Sequence, residues 1–304
     1  MPTQKVKVHR IKNYFRRNPH IPYIAPTIIV LGALVIIPTI FLYFISLTDY
    51  EMASDFRNIR IVWFENFIRI FSGEDIDFYN SVILSLKFTV IATSVEMLFG
   101  FILAYMMNRD FKGKAVVFSC MIIPITMTPS IAALIWKLLL NTEYGFINYI
   151  LNLLVGVKIT WLGESLSLMS VIMVDVWQWT PFVALILYSG LRSLPLESYE
   201  SAKIDGANSF QILLKITLPL LKPIIMLALL FRLIDCLKLF DVPFVLTQGG
   251  PGNKTETLGM HIYRLGFAQT GWIGRAAATS IVLLVVISII STVLIKKMRK
   301  EEVN

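Results

Sequence analysis

Four ionisable residues stand three apart in an apolar stretch: Arg232, Asp235, Lys238 and Asp241. Their signs alternate, and neighbours at i and i+3 share one surface of a helix. Within a bilayer each unpaired charge costs about 2.5–3.5 kcal/mol on insertion scales, so these groups must pair or line a watery cavity. Two chemistries fit. They form an ion ladder, internal or with a partner chain, or they offer hydrogen bonds to a hydroxyl-rich ligand, with Asp235, nearest the middle of its stretch, foremost. Upstream, Asp175 lies one turn before Trp179, with Trp177 between them. Aromatic faces cover the C–H surfaces of polyhydroxylated rings, and they serve equally as packing and interface anchors. Glu96 is a lone acid in another apolar run, with no partner legible in the sequence.

Other patterns carry no chemistry. Gly249–Thr255, GGPGNKT, lacks the Gly immediately before Lys254 that a phosphate-binding loop requires, and no strand precedes it. His9, His20 and His261 are scattered without metal-ligand spacing. Neither a His-Glu-x-x-His nor a serine-elbow pattern occurs. Cys120 and Cys236 both fall in apolar runs and read as buried thiols, with no disulfide framework.

The elements that position these residues are hydrophobic. Of 304 residues 56% are apolar and only 16% charged, with mean hydropathy +0.69, against about 25% charged in soluble domains. Six runs reach the roughly 20 residues a bilayer demands: Pro22–Leu47, Ser81–Met107, Ala115–Leu140, Leu166–Gly190, Ile224–Thr247 and Gly274–Ile295. The first lacks a small-residue cleavage pattern and reads as a retained anchor. Pro124, Pro129 and Pro181 interrupt the third and fourth runs, and Lys87 and Lys137 are placed to snorkel outward. With both termini cytoplasmic, inside segments hold 16 of the 28 Lys and Arg and outside loops 6, as the positive-inside rule requires. The net charge of +8 is thus a topology signal and calls for no nucleic acid. The outside loop 48–80 is acidic, and 145–162 reads as an amphipathic interfacial segment with Phe146, Ile150, Leu153 and Leu154 on one side.

One segment is too elaborate for a connector, which needs about 4–6 residues. Residues 191–223 hold Pro195, suited to a first helical turn, then Asp205-Gly206 as a stop, and Asn208 or Ser209 as a cap. Phe210, Leu213, Leu214 and Thr217 come next at helical spacing, and Pro219 and Pro223 punctuate entry into the fifth run. This is an elbow with an apolar face, which either docks a partner or packs on its own chain.

The elbow carries a resemblance. Glu200-Ser201-Ala202, three residues, Gly206, nine residues, then Ile216-Thr217-Leu218-Pro219 resembles the EAA loop of binding-protein-dependent ABC importer permeases, departing only at Ser201. Asp205-Gly206-Ala207 matches as well. Leu246-Thr247-Gln248-Gly249-Gly250-Pro251 is similar to a segment of one permease subunit of sugar importers, of the maltose and glycerol-phosphate type. Trp177-Gln178-Trp179-Thr180-Pro181-Phe182 and Tyr144–Asn148 extend the likeness, which covers roughly residues 20 to 298.

The resemblance implies an all-α membrane protein of six transmembrane helices, a type I ABC importer transmembrane domain in a bacterial or archaeal cytoplasmic membrane. It implies a second six-helix permease, two cytoplasmic ABC ATPase subunits and an external solute-binding protein, with membrane lipid around them. ATP and Mg would sit on the ATPases, with no cofactor and no catalysis in this chain. Glu200, Ser201, Ala202, Asp205, Gly206, Ala207, Phe210, Ile216, Leu218 and Pro219 would form the coupling contact. Arg232, Asp235, Lys238, Asp175, Trp177 and Trp179 would line the substrate pathway. The expected organisation is a basic N-terminus at 1–21, a first helix and acidic loop at 22–80, a five-helix core at 81–295 containing the 191–223 loop, and a tail at 296–304. Alternatives are an importer of another solute, a secondary transporter, or an intramembrane enzyme using Asp175, Asp235 or Glu96.

Overall fold

A computed structural model describes residues 21–268 and 271–302. The basic segment 1–20 and the last two residues lie outside them. In chain order the helices are α1 (Ile21–Ser46), α2 (Glu65–Phe71), α3 (Ile76–Met107), α4 (Lys114–Thr126), α5 (Pro129–Leu139), α6 (Phe146–Val155) and α7 (Ser167–Ser193). Then come α8 (Leu196–Ile204), α9 (Ser209–Leu237), α10 (Asp241–Leu246), α11 (Leu258–Tyr263) and α12 (Ile273–Glu302). Among the described residues the only β pairing is a single bridge between Thr48 and Ile61.

Five of these helices are long and apolar enough to cross a bilayer, and α4 with α5, bent by 103° at their junction, brings the number to six if the pair counts as one span. The bend has a local cause. Residues before proline avoid the helical region, and Thr128, ahead of Pro129, is extended at φ −68°, ψ 143°. Pro124 stays inside α4. The break leaves the Met127 carbonyl without a helical donor, and the buried Gln178 side chain of α7 supplies one at 3.0 Å. Backbone at membrane depth needs such a substitute because no water is present.

The core is α3 against α7, closed by α9. Small residues set the contact, as membrane packing favours. A Cβ added at Gly100 of α3 would lie 2.6 Å from Val183 Cγ1 of α7. Ala104, Val183, Leu187, Leu221 and Ala228 pack beside this contact. Helix α1 stands at the periphery, largely exposed, against α12.

Several boundaries move relative to expectation. The second span starts at Ile76 and the sixth runs to Glu302. The fifth is Ser209–Leu237, not Ile224–Thr247. Pro219 and Pro223 do not interrupt it: a π turn over Leu213–Thr217, in which the Leu218 N–H reaches the Leu213 carbonyl, carries the helix into the prolines. At the far end α9 stops at Leu237, and Pro243 then falls in the first turn of the separate α10. The Leu239 carbonyl between them accepts a hydrogen bond from the Thr257 hydroxyl at 2.6 Å. Cys236 is buried but Cys120 is exposed, on a face of α4 that the rest of the chain does not cover. Lys137 does not snorkel outward; its Nζ donates to the Val245 carbonyl at 2.9 Å.

Helix α6 is amphipathic as expected, with Phe146, Leu153 and Leu154 exposed and Asn148 buried. Asn148 fastens it from beneath. Its Oδ1 accepts from the Ile159 amide and Trp161 Nε1, each at 3.1 Å, and its Nδ2 donates to the Ile159 carbonyl at 2.8 Å. Asn148→Ala should leave these part-buried groups unpaired and cost about 1–3 kcal/mol, read as a lower melting temperature of the detergent-solubilised protein. An unchanged melting temperature would show that water replaces the amide.

Candidate functional site

Two regions hold the residues that the sequence marks as functional. The first is the elbow between α7 and α9. Helix α8 closes in a Schellman arrangement: the Ala207 N–H bonds the Ala202 carbonyl at 2.9 Å and the Gly206 N–H bonds that of Lys203 at 3.1 Å. Gly206 takes φ +78° to do so, a conformation glycine adopts without steric cost. Asn208 then caps α9 in a reciprocal box with Gln211, both bonds 2.9 Å. The Tyr199 hydroxyl holds α8 to α9 through Thr217 Oγ1 at 3.1 Å, and Ala202 is buried in the angle.

The apolar face expected on this segment splits. Thr217 points inward, whereas Ile204 is 86% and Phe210 66% exposed, with Leu196 and Leu214 also open. The π turn accounts for the split, since it adds a residue to one turn and rotates the later turns of the helix relative to Phe210. Glu200, Ser201, Asp205, Gly206 and Pro219 are exposed as well, while Ala207, Ile216 and Leu218 are half-buried.

The second region is a charge cluster among α3, α7 and α9. Arg232 forks onto Glu96, Nε to Oε2 at 2.6 Å and Nη2 to Oε1 at 2.8 Å. The same Nη2 donates to Asp175 Oδ2 at 2.6 Å. All three residues are buried to 1% exposure or less. Trp179 covers the guanidinium, its ring centroid 5.2 Å from Cζ. Such bidentate, charge-assisted geometry is what a guanidinium does best. Glu96 thus finds the partner that its sequence context did not disclose. The only hint is that two acids, Glu96 and Asp175, each stand uncompensated in apolar runs.

From this centre the ladder runs outward for two steps only. Asp235 lies 3.9 Å from Arg232 Nη1 and 2.9 Å from Lys238 Nζ, and Lys238 is exposed. Asp241 does not join, because the helix has ended; its carboxylate accepts from Ser130 Oγ at 3.3 Å. Trp177 faces elsewhere, edge-on to Trp136 with centroids 5.5 Å apart. Glu96, Asp175 and Cys236 place three donor atoms within 4.8 Å of one another. A metal ion does not fit among them, since Arg232 Nη2 is already within 3.3 Å of the sulfur and bonded to both carboxylates.

A family described as the binding-protein-dependent transport system inner membrane component matches residues 96–300, which begin at Glu96 and take in the elbow and the whole charge cluster. The chain belongs to that family. This permease is therefore a multi-pass protein of the cytoplasmic membrane. Relatives of known name are similar over most of their length. The trehalose/maltose transport system permease MalF of Thermococcus litoralis is 33% identical over 90% of this chain and 91% of its own. The sulfoquinovosyl glycerol transport system permease SmoG of Agrobacterium fabrum is 32% identical over 84% and 82%. In fold the permease resembles a chain of a bacterial ABC transporter that imports the acidic polysaccharide alginate, with TM-score 0.81, 23% identity, and 96% and 99% of the two chains covered.

Proposed function

We propose that the permease is one of two transmembrane subunits of an ATP-driven, binding-protein-dependent importer of a sugar, oligosaccharide or related polyol or glycerol-phosphate. ATP hydrolysis resides on separate cytoplasmic ATPases, which hold ATP and Mg, and the solute arrives on an external binding protein. Both termini and the elbow face the cytoplasm. The carbohydrate class is supported by the names of the trehalose/maltose and sulfoquinovosyl glycerol relatives.

One observation carries the mechanical reading: Ile204 and Phe210 project from an ordered turn at the start of the helix that bears Arg232. Large exposed apolar side chains on a capped, rigid turn are suited to a partner's groove. Gly206 shapes that turn, and Glu200 stands exposed on the helix before it. ATP-driven movement of the partner can shift this subunit between states only through a contact whose affinity differs between them. Arg232 and Asp175 are enclosed, so within this chain solute hydroxyls meet Asp235, Lys238 and the Trp179 edge, where the second permease completes the path.

The test is to co-express the whole transporter with Ile204→Asp and Phe210→Asp in this subunit. The ATPases should cease to copurify, and binding-protein-stimulated ATP hydrolysis should fall to background. The subunit's melting temperature should stay near that of the parent, because both side chains are exposed. Full assembly and stimulation in both variants would sink the coupling assignment.

A further inference from the structure

At the end of the bundle opposite the elbow, helix α2, the junction of α2 with α3, the end of α11 and the start of α12 enclose a recess of about 310 Å³. Two of its charged groups make no direct ion pair among the described residues, although Glu74 and Asp75 act on Arg275 through space. The Arg275 guanidinium stacks on the Trp272 ring at 4.0 Å, yet among the described residues it makes neither ion pair nor side-chain hydrogen bond. Glu74, on the facing wall, likewise has a carboxylate that no described residue pairs. Their neighbours are engaged: Arg69 with Glu65, Arg264 with Asp77 and Glu256. Two opposite charges thus line one cavity without contacting one another.

The surroundings say which medium reaches this recess. Phe64, Ile68 and Phe71 stand at i, i+4 and i+7 along α2 and are 60–65% exposed, while Ile70 on the other side is buried. Ile76 and Trp63 extend the exposed apolar strip. Trp272 stands immediately before the last span, which begins at Ile273. An apolar strip on a short helix, with Trp and Arg at the mouth of a span, is the composition of a membrane–water interface.

We infer that this recess binds the zwitterionic headgroup of an aminophospholipid, its phosphate on Arg275 and its ammonium on Glu74. A phosphate alone satisfies the arginine but not the acid, and a purely anionic headgroup meets the repulsion of Glu74, Asp75 and Asp77, which share the wall. A headgroup that carries both charges answers both residues. Its acyl chains then lie along the strip of Phe64, Ile68 and Phe71.

The assembled transporter, stripped of lipid and retitrated, tests this by native mass spectrometry. Phosphatidylethanolamine should remain bound at higher collision energy than phosphatidylglycerol. Arg275→Gln should weaken its retention about tenfold, the loss of one charge-assisted contact. Glu74→Gln should spare phosphatidylglycerol while erasing the preference for the amine. Both positions lie at the surface of the recess, so the variants should assemble. Soluble phosphoethanolamine should compete only at far higher concentration; competition at equal concentration would overturn the lipid assignment in favour of a free zwitterion. Equal retention of the two lipids, or Arg275→Gln lowering affinity for the solute-binding protein with bound lipid unchanged, would overturn it too.

Discussion

Replacing Arg232 with alanine is expected to abolish assembly of the transporter. Three helices converge on this one guanidinium, and its removal leaves Glu96 and Asp175 facing each other in a dry interior. Breaking a buried ion pair by deleting one partner costs about 3–5 kcal/mol, a large part of the roughly 5–15 kcal/mol by which proteins are stable. Arg232→Lys should rescue only partly, because an ammonium cannot fork onto Glu96 while also bonding Asp175. The informative variant is Arg232→Leu with Glu96→Leu and Asp175→Asn. The cost lies mainly in the orphaned charges, so removing all of them together should restore much of the yield, a non-additive recovery. Yield of monodisperse complex from solubilised membranes reads each case. If Arg232→Ala assembles normally, the cluster is not a structural tie. If the triple variant assembles but fails to transport, the charges serve the transport cycle itself.

Gly100→Leu should be nearly as damaging, for a steric reason. The added side chain would begin 2.6 Å from Val183 Cγ1 and 3.2 Å from the Ala184 amide. The first atom could rotate aside, but the second is backbone. Helix α3 must therefore separate from α7 along their principal contact. Overpacking of a well-filled core typically costs about 1–3 kcal/mol, and a helix displacement beside the charge cluster adds lost hydrogen bonds to that. Gly32 supplies the control: a Cβ there meets nothing nearer than Ile36 Cδ1 at 3.9 Å. Gly32→Ala should leave melting temperature and transport as they are, whereas Gly100→Leu should lower both sharply. Equal behaviour of the two variants would mean that α3 and α7 are not locked at this point.

What the sequence discloses about this permease depends on how far apart the cooperating residues lie. The elbow is local. Gly206 for a left-handed turn and Asn208 for a cap act on backbone only a few residues away, and their types name their roles. The spans are legible because each satisfies its own backbone. The charge cluster is different: Arg232 meets Glu96 and Asp175 across 136 and 57 residues, and helical periodicity cannot align three faces that far apart. The end of α9 is misread for a related reason. Apolar residues continue past Leu237, and Pro243 then tells more than hydropathy does. At the start of α9 prolines mislead the other way, since a π turn accommodates what proline chemistry alone forbids.

Phe210 and Arg232 belong to one uninterrupted rod. Roughly twenty-two residues at 1.5 Å each put them about 33 Å apart, one at the exposed elbow and the other at the buried junction. Were the chain hinged at Pro219 or Pro223, a push on Phe210 would be spent in bending. Along a helix that moves as one body it would be delivered: a tilt of about 5° at one end sweeps the other through about 3 Å, given that length. An arc of that size far exceeds the slack of less than about 1 Å between a 2.6 Å contact and the limit of a hydrogen bond. The Arg232 fork must therefore travel with its two carboxylates, or let them go.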